Sequence, residues 1–322
     1  MDYKVEIISK KKKDKLLAKL YPSCPYEVKA EIYGLCIKLF TNSHGFKDMW
    51  EENFKSMLET IRPHARLVAV DEGGKFKVMY EPASKTVIIQ NCDYYGWVKS
   101  IALALAADYM EDFQSEHKRY SIHGSYIDSD GRGIGVIGPS KSGKTTLTYG
   151  LLLDEKNNFL TDDWFFVRIG KTSVLASSAE KNSYIRDDLA KNWKAYGRVV
   201  AEAKLDNKGR AIVDVKNIFG YDRIKSQSTM KAIVLLTRDK TLSPIKKMKT
   251  NEAITFMKEH EFCNPHQLVR TKEKMQERTE FFKKLFEKLP VYLLNTIETP
   301  QRSLERLKEI MDEEVNDSNH ER

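Results

Sequence analysis

Four cysteines in 322 residues, Cys24, Cys36, Cys92 and Cys263, are too few and too scattered for a disulfide scaffold. None forms a CxxC pair and no histidine clusters beside them, which speaks against a zinc site and suits reduced thiols in a cytosol. Apolar runs are short, and none approaches the roughly 20 residues of a membrane span. The N-terminus, MDYKVEIISKKKKDK, has a basic stretch with no apolar segment behind it, so no secretory signal is expected. There is no internal repeat and no low-complexity linker. Together these absences predict a cytoplasmic protein with no membrane partner.

What is present is the composition of a folded chain. Hydrophobic residues make up 41% and charged residues 31%, enough apolar material for a real core. The net charge of +8 is spread, because Lys and Arg alternate with Asp and Glu over most of the chain. That pattern reads as a solvated surface, and nucleic-acid binding is the weakest reading of it. A homo-oligomer is compatible with all of this.

Two regions differ in texture. Residues 1–118 are expected to form a smaller α/β domain. Lys10 to Leu20 reads as a helix with a basic start, and Val28 to Phe40 as a strand. Phe46, Met49, Trp50, Phe54, Met57, Leu58 and Ile61 recur at helical spacing. Arg66 to Val70 and Lys75 to Tyr80 are predicted strands joined as a hairpin by AspGluGlyGly, with Thr86 to Gln90 a further strand. Trp97 to Phe113 reads as a buried helix. In residues 119–322, strands are expected at Tyr120 to Ile127, Ile134 to Ile137, Phe165 to Ile169, Ser173 to Ala176, Ala232 to Thr237 and Val291 to Leu294. A hairpin is expected between Val199 and Val215, helices at Met275 to Leu289 and Pro300 to Met311, and a frayed tail beyond. The close succession of strands predicts an α/β (α+β) fold with a mixed sheet.

Gly138-Pro139-Ser140-Lys141-Ser142-Gly143-Lys144-Thr145 fits GxxxxGK[ST] and runs on into Thr146. The motif has a mechanism. Its glycines allow a compact loop with inward amides, and the following helix adds its positive end. Lys144 supplies a point charge for the outer phosphates, and the Thr145 hydroxyl is a hard ligand for Mg²⁺. Chance would give such a match in on the order of one chain in a hundred of this length. Here the loop follows an apolar strand and precedes a helix-compatible run with Leu147, Leu151 and Leu152, the context the motif demands.

Asp162 and Asp163 lie between apolar stretches. They read either as a turn or cap, or as a metal ligand and a proton acceptor beside the phosphate loop. Neighbouring residues on a strand face opposite ways, so both serve one site only if the backbone turns there. His123 ends the strand that leads into the phosphate-loop unit; taken alone it is a surface or core residue.

The run from His123 to Thr145 resembles the nucleotide-binding segment of the HPr kinase/phosphorylase family. It matches without a gap through His123-Gly124, Asp128, Gly131, Gly133, the apolar strand and the loop. Asp162-Asp163 falls within about a residue of where that family carries two aspartates. The stretch from Asp206 to Gly220 is similar to its acidic-x-Arg-Gly-x-Gly-Ile-Ile-Asn-Val signature. The resemblance covers roughly residues 120 to 240. It implies a P-loop domain with a mixed sheet of the phosphoenolpyruvate-carboxykinase/HPr-kinase type. It also implies an active-site role for His123, Asp162 as base, and a metal held near Thr145, Asp163 and Asp206. Lys208 stands where the family has Arg, a point charge in place of a bidentate fork. The family's Pro-rich Arg-Gly-Arg-Asn segment has no counterpart. Cys263-Asn-Pro-His266-Gln stands instead, in which His266 is a substrate contact or, the simpler reading, an exposed residue on an Asn-Pro turn.

The function implied is an ATP- and Mg²⁺-dependent kinase acting on a hydroxyl acceptor, either a protein Ser or a small molecule. Two alternatives stand beside it. One is a non-catalytic nucleotide sensor, which would need only the loop. The other is a carboxykinase-like enzyme, which would need further Arg and Lys around an organic acid; no convincing set of these is found.

Overall fold

The computed structural model describes residues 3–113, 119–180, 182–186, 188–205 and 209–316. Its contacts divide the chain into two compact units, the first made of residues 1–118, 179–182 and 265–271, the second of the remainder.

In the first unit, strands β1 (Val5–Ile7), β2 (Tyr26–Ile32), β3 (Leu35–Thr41), β4 (Lys55–Ser56), β5 (Ala65–Val70), β6 (Lys77–Glu81) and β7 (Thr86–Gln90) form one mixed sheet. Their order is β1-β6-β7-β5-β3-β2-β4. Helices α1 (Lys10–Leu20), α2 (His44–Asn53) and α3 (Tyr95–Asp112) accompany it. Three expectations need correction. The stretch from Val28 to Phe40 is two strands, not one, because Tyr33 and Gly34 both have positive φ and make a tight two-residue turn. The helical spacing predicted to Ile61 stops at Asn53, where Phe54 turns extended and Lys55–Ser56 pairs with β2. AspGluGlyGly does not close a hairpin: β5 and β6 both flank β7, β5 in parallel and β6 antiparallel. The hairpin turn is Pro82–Lys85, where the Glu81 carboxylate accepts from Ala83 N and Ser84 N.

The second unit carries β8 (Tyr120–His123), β9 (Ser125–Ser129), β10 (Arg132–Ile137), β11 (Asn157–Thr161), β12 (Trp164–Ile169), β13 (Val174–Ser178), β14 (Asn182–Arg186), β15 (Lys204–Leu205), β16 (Arg210–Asp214), β17 (Gln227–Thr237), β18 (Ile245–Met248) and β19 (Val291–Asn295). The main sheet runs β11-β9-β10-β17-β13-β12-β8, with β19 beside the far half of β17 and β18 beside β19. It is mixed, as expected: β10–β17 and β17–β19 are parallel and the other pairs antiparallel. Strands β14, β16 and β15 form a small separate sheet. Within the stretch read as a hairpin from Val199 to Val215, Gly197–Glu202 is helical and only β15 and β16 pair.

The longer helices of this unit are α4 (Lys144–Leu151), α5 (Thr250–Glu259), α6 (Lys272–Lys288) and α7 (Pro300–Met311). The apolar run of β17 follows from covering both faces of the sheet. Ala232, Val234 and Leu236 pack in one core with Leu147, Leu304 and Leu307, from α4 and α7. Ile233 and Leu235 pack in the other core with Phe256, Phe281 and Leu285, from α5 and α6. Beyond Met311 the chain does not fray at once: Asp312–Asn316 continues in a wide helical turn and buries Val315. The Thr299 side chain caps α7 by accepting from Arg302 N. Thr299→Ala is expected to lower stability by about 1 kcal/mol, read as a lower midpoint in urea unfolding with an unchanged slope.

Among the described residues no helix is long and apolar enough to cross a membrane.

Candidate functional site

The glycine-lysine loop joins β10 to α4, the strand-loop-helix arrangement its sequence demands. A Cβ on Gly138 would lie 2.5 Å from Ser142 Oγ and 2.9 Å from Leu236 Cβ, so the loop closes only with glycine there. Lys141 and Gly143 take left-handed backbone, with φ of 67° and 101°. Gly143 is the N-cap of α4, whose first N–H groups have no helical carbonyl to bond. Thr296 Oγ1 donates to the Ser142 carbonyl at 2.7 Å, and Thr296 N donates to Thr237 O at 2.8 Å. The loop is thus fastened to the ends of β17 and β19. Ser142 Oγ is buried with no hydrogen-bond partner.

Lys144 turns back into the loop, donating from Nζ to Gly138 O at 2.6 Å and Pro139 O at 3.2 Å. Burial holds its ammonium below the ordinary lysine range, and the Asp163 and Asp162 carboxylates pull less strongly the other way. The bend that carries Asp163 lies against the start of the loop: a Cβ on Gly124 would be 2.6 Å from Val136 O and 3.4 Å from Ile137 Cγ1. Ser140 and Lys141 are exposed, Pro139 and Thr145 partly buried, and the Thr146 carbonyl accepts from Trp193 Nε1 at 2.8 Å.

The acidic pair sits where two strands bend together. β8 runs into β9 through Gly124, and β11 into β12 through Asp162-Asp163. β8 pairs with β12 while β9 pairs with β11, so the two bent strands lie side by side. At the bend Gly124 N donates to Asp163 O at 2.9 Å. The strand predicted to run unbroken from Tyr120 to Ile127 is therefore interrupted at Gly124. The same bend breaks the up-down alternation at Asp162 and Asp163, which is the condition for both carboxylates to face one region. Asp162 is buried, 8% exposed, and the Asp163 side chain is about a third exposed.

His123 stands opposite Trp164 in the β8–β12 register, with the two rings edge to face at 5.6 Å. Its Nδ1 lies 2.7 Å from the Cys263 carbonyl oxygen. A carbonyl only accepts, so Nδ1 carries a proton. Nε2 lies 3.2 Å from Asp163 Oδ1.

The loop, His123, Asp162 and Asp163 are thus brought into one neighbourhood; Asp206 and Lys208 lie outside the described residues. Asp128 anchors the turn between β9 and β10, accepting from Ser228 Oγ at 2.5 Å and Asn158 Nδ2 at 3.0 Å. His266 is buried rather than exposed. The Tyr3 hydroxyl sits 2.9 Å from its Nδ1, and the Tyr3 and Trp97 rings pack against it. Thr296 and the Cys263 carbonyl carried no sequence signal, since one acts across 154 positions and the other is backbone. Among the described residues no three or more His, Cys, Asp and Glu side chains gather as a metal cage.

No family model matches the chain. Among curated proteins, the HPr kinase/phosphorylase of Polaromonas naphthalenivorans (strain CJ2) is 29% identical over 143 residues, 43% of this chain and 39% of that protein. The HPr kinase/phosphorylase of Prosthecochloris aestuarii (strain DSM 271 / SK 413) is 25% identical over 132 residues, 41% of this chain and 33% of that protein. The chain therefore spans less than half the length of the curated relatives it matches. A structure of the Hpr(Ser) kinase/phosphatase from Coxiella burnetii aligns over 60% of this chain and 98% of its own, at 16% identity and a TM-score of 0.34. The likeness to the HPr kinase/phosphorylase family is present in the pairwise matches as well as in the motif residues, at low identity and over part of the chain.

Proposed function

We propose that the second unit is a kinase that transfers the γ-phosphate of ATP, with Mg²⁺, to a hydroxyl acceptor on a protein serine or a small molecule. The observation that carries this reading is the bend at Gly124, whose N–H holds Asp163 O at 2.9 Å while the next residue, Ser125, pairs with Val136 on the strand that runs into the loop. Nucleotide binding alone needs the loop but not two carboxylates beside it.

The loop is suited to phosphates. Its unbonded helix-start N–H groups and the unpartnered Ser142 hydroxyl are donors waiting for acceptors. The Lys144 ammonium, held now on two carbonyls, exchanges them for phosphate oxygens. Hard oxygens at Thr145 and Asp163 fit Mg²⁺, which takes one or two carboxylates plus phosphate and water; the resemblance adds Asp206. When bound there, that ion would neutralise charge on the phosphate oxygens as the outer phosphate leaves. Asp162, buried at the same bend, would accept the proton of the acceptor hydroxyl, and Asp163, 3.2 Å from His123 Nε2, would stand on the metal side. Positioning and electrostatics supply most of the rate in this chemistry. The names of the curated relatives favour a protein acceptor. Four free, buried thiols support a reducing, cytoplasmic setting.

The test is incubation with γ-labelled ATP, Mg²⁺ and cell extract, followed by mass spectrometry of the protein and small-molecule fractions. A labelled hydroxyl in either fraction is expected. Intact nucleotide binding with no labelled product would overturn the reading in favour of a nucleotide sensor. Lys144→Met is expected to weaken ATP binding about tenfold to a hundredfold, the loss of one or two charge-assisted hydrogen bonds, measured by isothermal titration calorimetry.

A further inference from the structure

Three consecutive residues, Glu261, Phe262 and Cys263, hold left-handed backbone, with φ of 51°, 55° and 52°. None is glycine. Residues with a Cβ enter that region at a cost, and normally one at a time. The run follows α5 through His260 and closes on its own backbone: Cys263 N donates to His260 O at 2.8 Å, and Asn264 N to Glu261 O at 3.2 Å. An apolar anchor holds it in place. The Phe262 ring is buried and stacks on Phe282 of α6, with centroids 5.6 Å apart and planes within 12°.

What the turn delivers is the Cys263 carbonyl, 2.7 Å from His123 Nδ1. The thiol is not the working group, because burial pushes it up to about 11 and keeps it protonated near neutral pH. Right-handed values at Cys263 would rotate the peptide plane that carries this oxygen. Strained backbone persists only where its surroundings impose it, and it gathers at sites where geometry matters.

We infer that Glu261–Cys263 is a positioning turn for the His123–Asp163 pair. Phe262 fixes the turn, the turn fixes the carbonyl, and the carbonyl holds the Nδ1 proton and so the rotation of the His123 ring. The second ring nitrogen is then committed to Asp163. None of the three residues is required to touch substrate; they act through His123. The inference rests on the kinase reading and adds to it the element that orients the histidine.

The experiment pairs two substitutions at one position. Cys263→Val is apolar and β-branched, one heavy atom larger than Cys, and it resists left-handed backbone. It is expected to lower kcat about tenfold or more, with the nucleotide KM changed less than about twofold. Cys263→Gly loses the thiol but accepts the backbone, and it is expected to recover most of that loss. The ring signals of His123, identified by their disappearance in His123→Gln, supply a readout that does not depend on activity. In proton-nitrogen spectra the hydrogen-bonded Nδ1 proton is expected in wild type and Cys263→Gly and absent in Cys263→Val. Glu261→Val and Glu261→Gly repeat the comparison at an exposed position that leaves the core untouched. Glu261→Gly is expected to raise the melting midpoint by about 2 °C. The inference is overturned if both valine variants keep kcat and the Nδ1 signal, or if Cys263→Gly loses as much as Cys263→Val. If wild type transfers no phosphate the kinase reading fails, and the ring spectra still decide the role of the turn.

Discussion

Asp162→Asn is expected to lower phosphate transfer by about 10²- to 10⁴-fold, the usual contribution of a positioned general base, while ATP affinity changes less than about twofold. The substitution keeps the shape of the side chain and removes its ability to take a proton. Asp162 is buried, at 8% exposed, and Asp163 stands 3.2 Å from His123 Nε2. Asp163→Asn should behave differently. It removes the negative charge facing His123 Nε2 and replaces one carboxylate oxygen with an amide nitrogen on the metal side, so kcat should fall and the Mg²⁺ requirement rise together. Steady-state kinetics on the acceptor named by mass spectrometry, or on water as a slow surrogate, separates the two patterns. Equal turnover in wild type and Asp162→Asn removes Asp162 as base.

The loop and its flanking strand and helix were legible because every part of the signal is local. GxxxxGK[ST], the apolar strand before it and the leucine spacing after it lie within a short window, and local geometry follows from local sequence. The two-sided burial of β17 was legible for the same reason: an unbroken apolar run demands cover on both faces. The hairpin assigned to AspGluGlyGly failed because turn chemistry names a turn and not its partner. β5 takes β3 and β7 as parallel neighbours, and pairing at that range outweighs two glycines. The bend at Asp162-Asp163 could be stated only as a condition, since it arises from two strands turning together. His266 was misjudged because its cover is Tyr3, 263 positions away. The Cys263 carbonyl was beyond reach, because backbone atoms leave no mark on residue type.

Gly124→Ala is expected to destabilise the second unit by about 3 kcal/mol, the upper part of the overpacking range, and to abolish transfer in what remains folded. A Cβ at Gly124 would lie 2.6 Å from the Val136 carbonyl and 3.3 Å from the Phe165 ring. Neither neighbour can yield cheaply. Val136 lies in the strand that ends at the phosphate loop, paired on both sides with β9 and β17. Phe165 is fully buried. The strand carrying Gly124 must therefore move, and its bond to Asp163 O holds the acidic corner to the same bend. Moving that strand shifts His123 on one side and the β9–β10 pairing that sets the start of the loop on the other. Loop and carboxylates would be misplaced by one substitution that adds a single methyl group. Differential scanning calorimetry should show a midpoint lower by several degrees, and transfer assayed well below that midpoint should still be lost. Full activity in a destabilised Gly124→Ala protein would show that the corner tolerates displacement, and would remove the tight geometry from which the roles of Asp162 and His123 are argued.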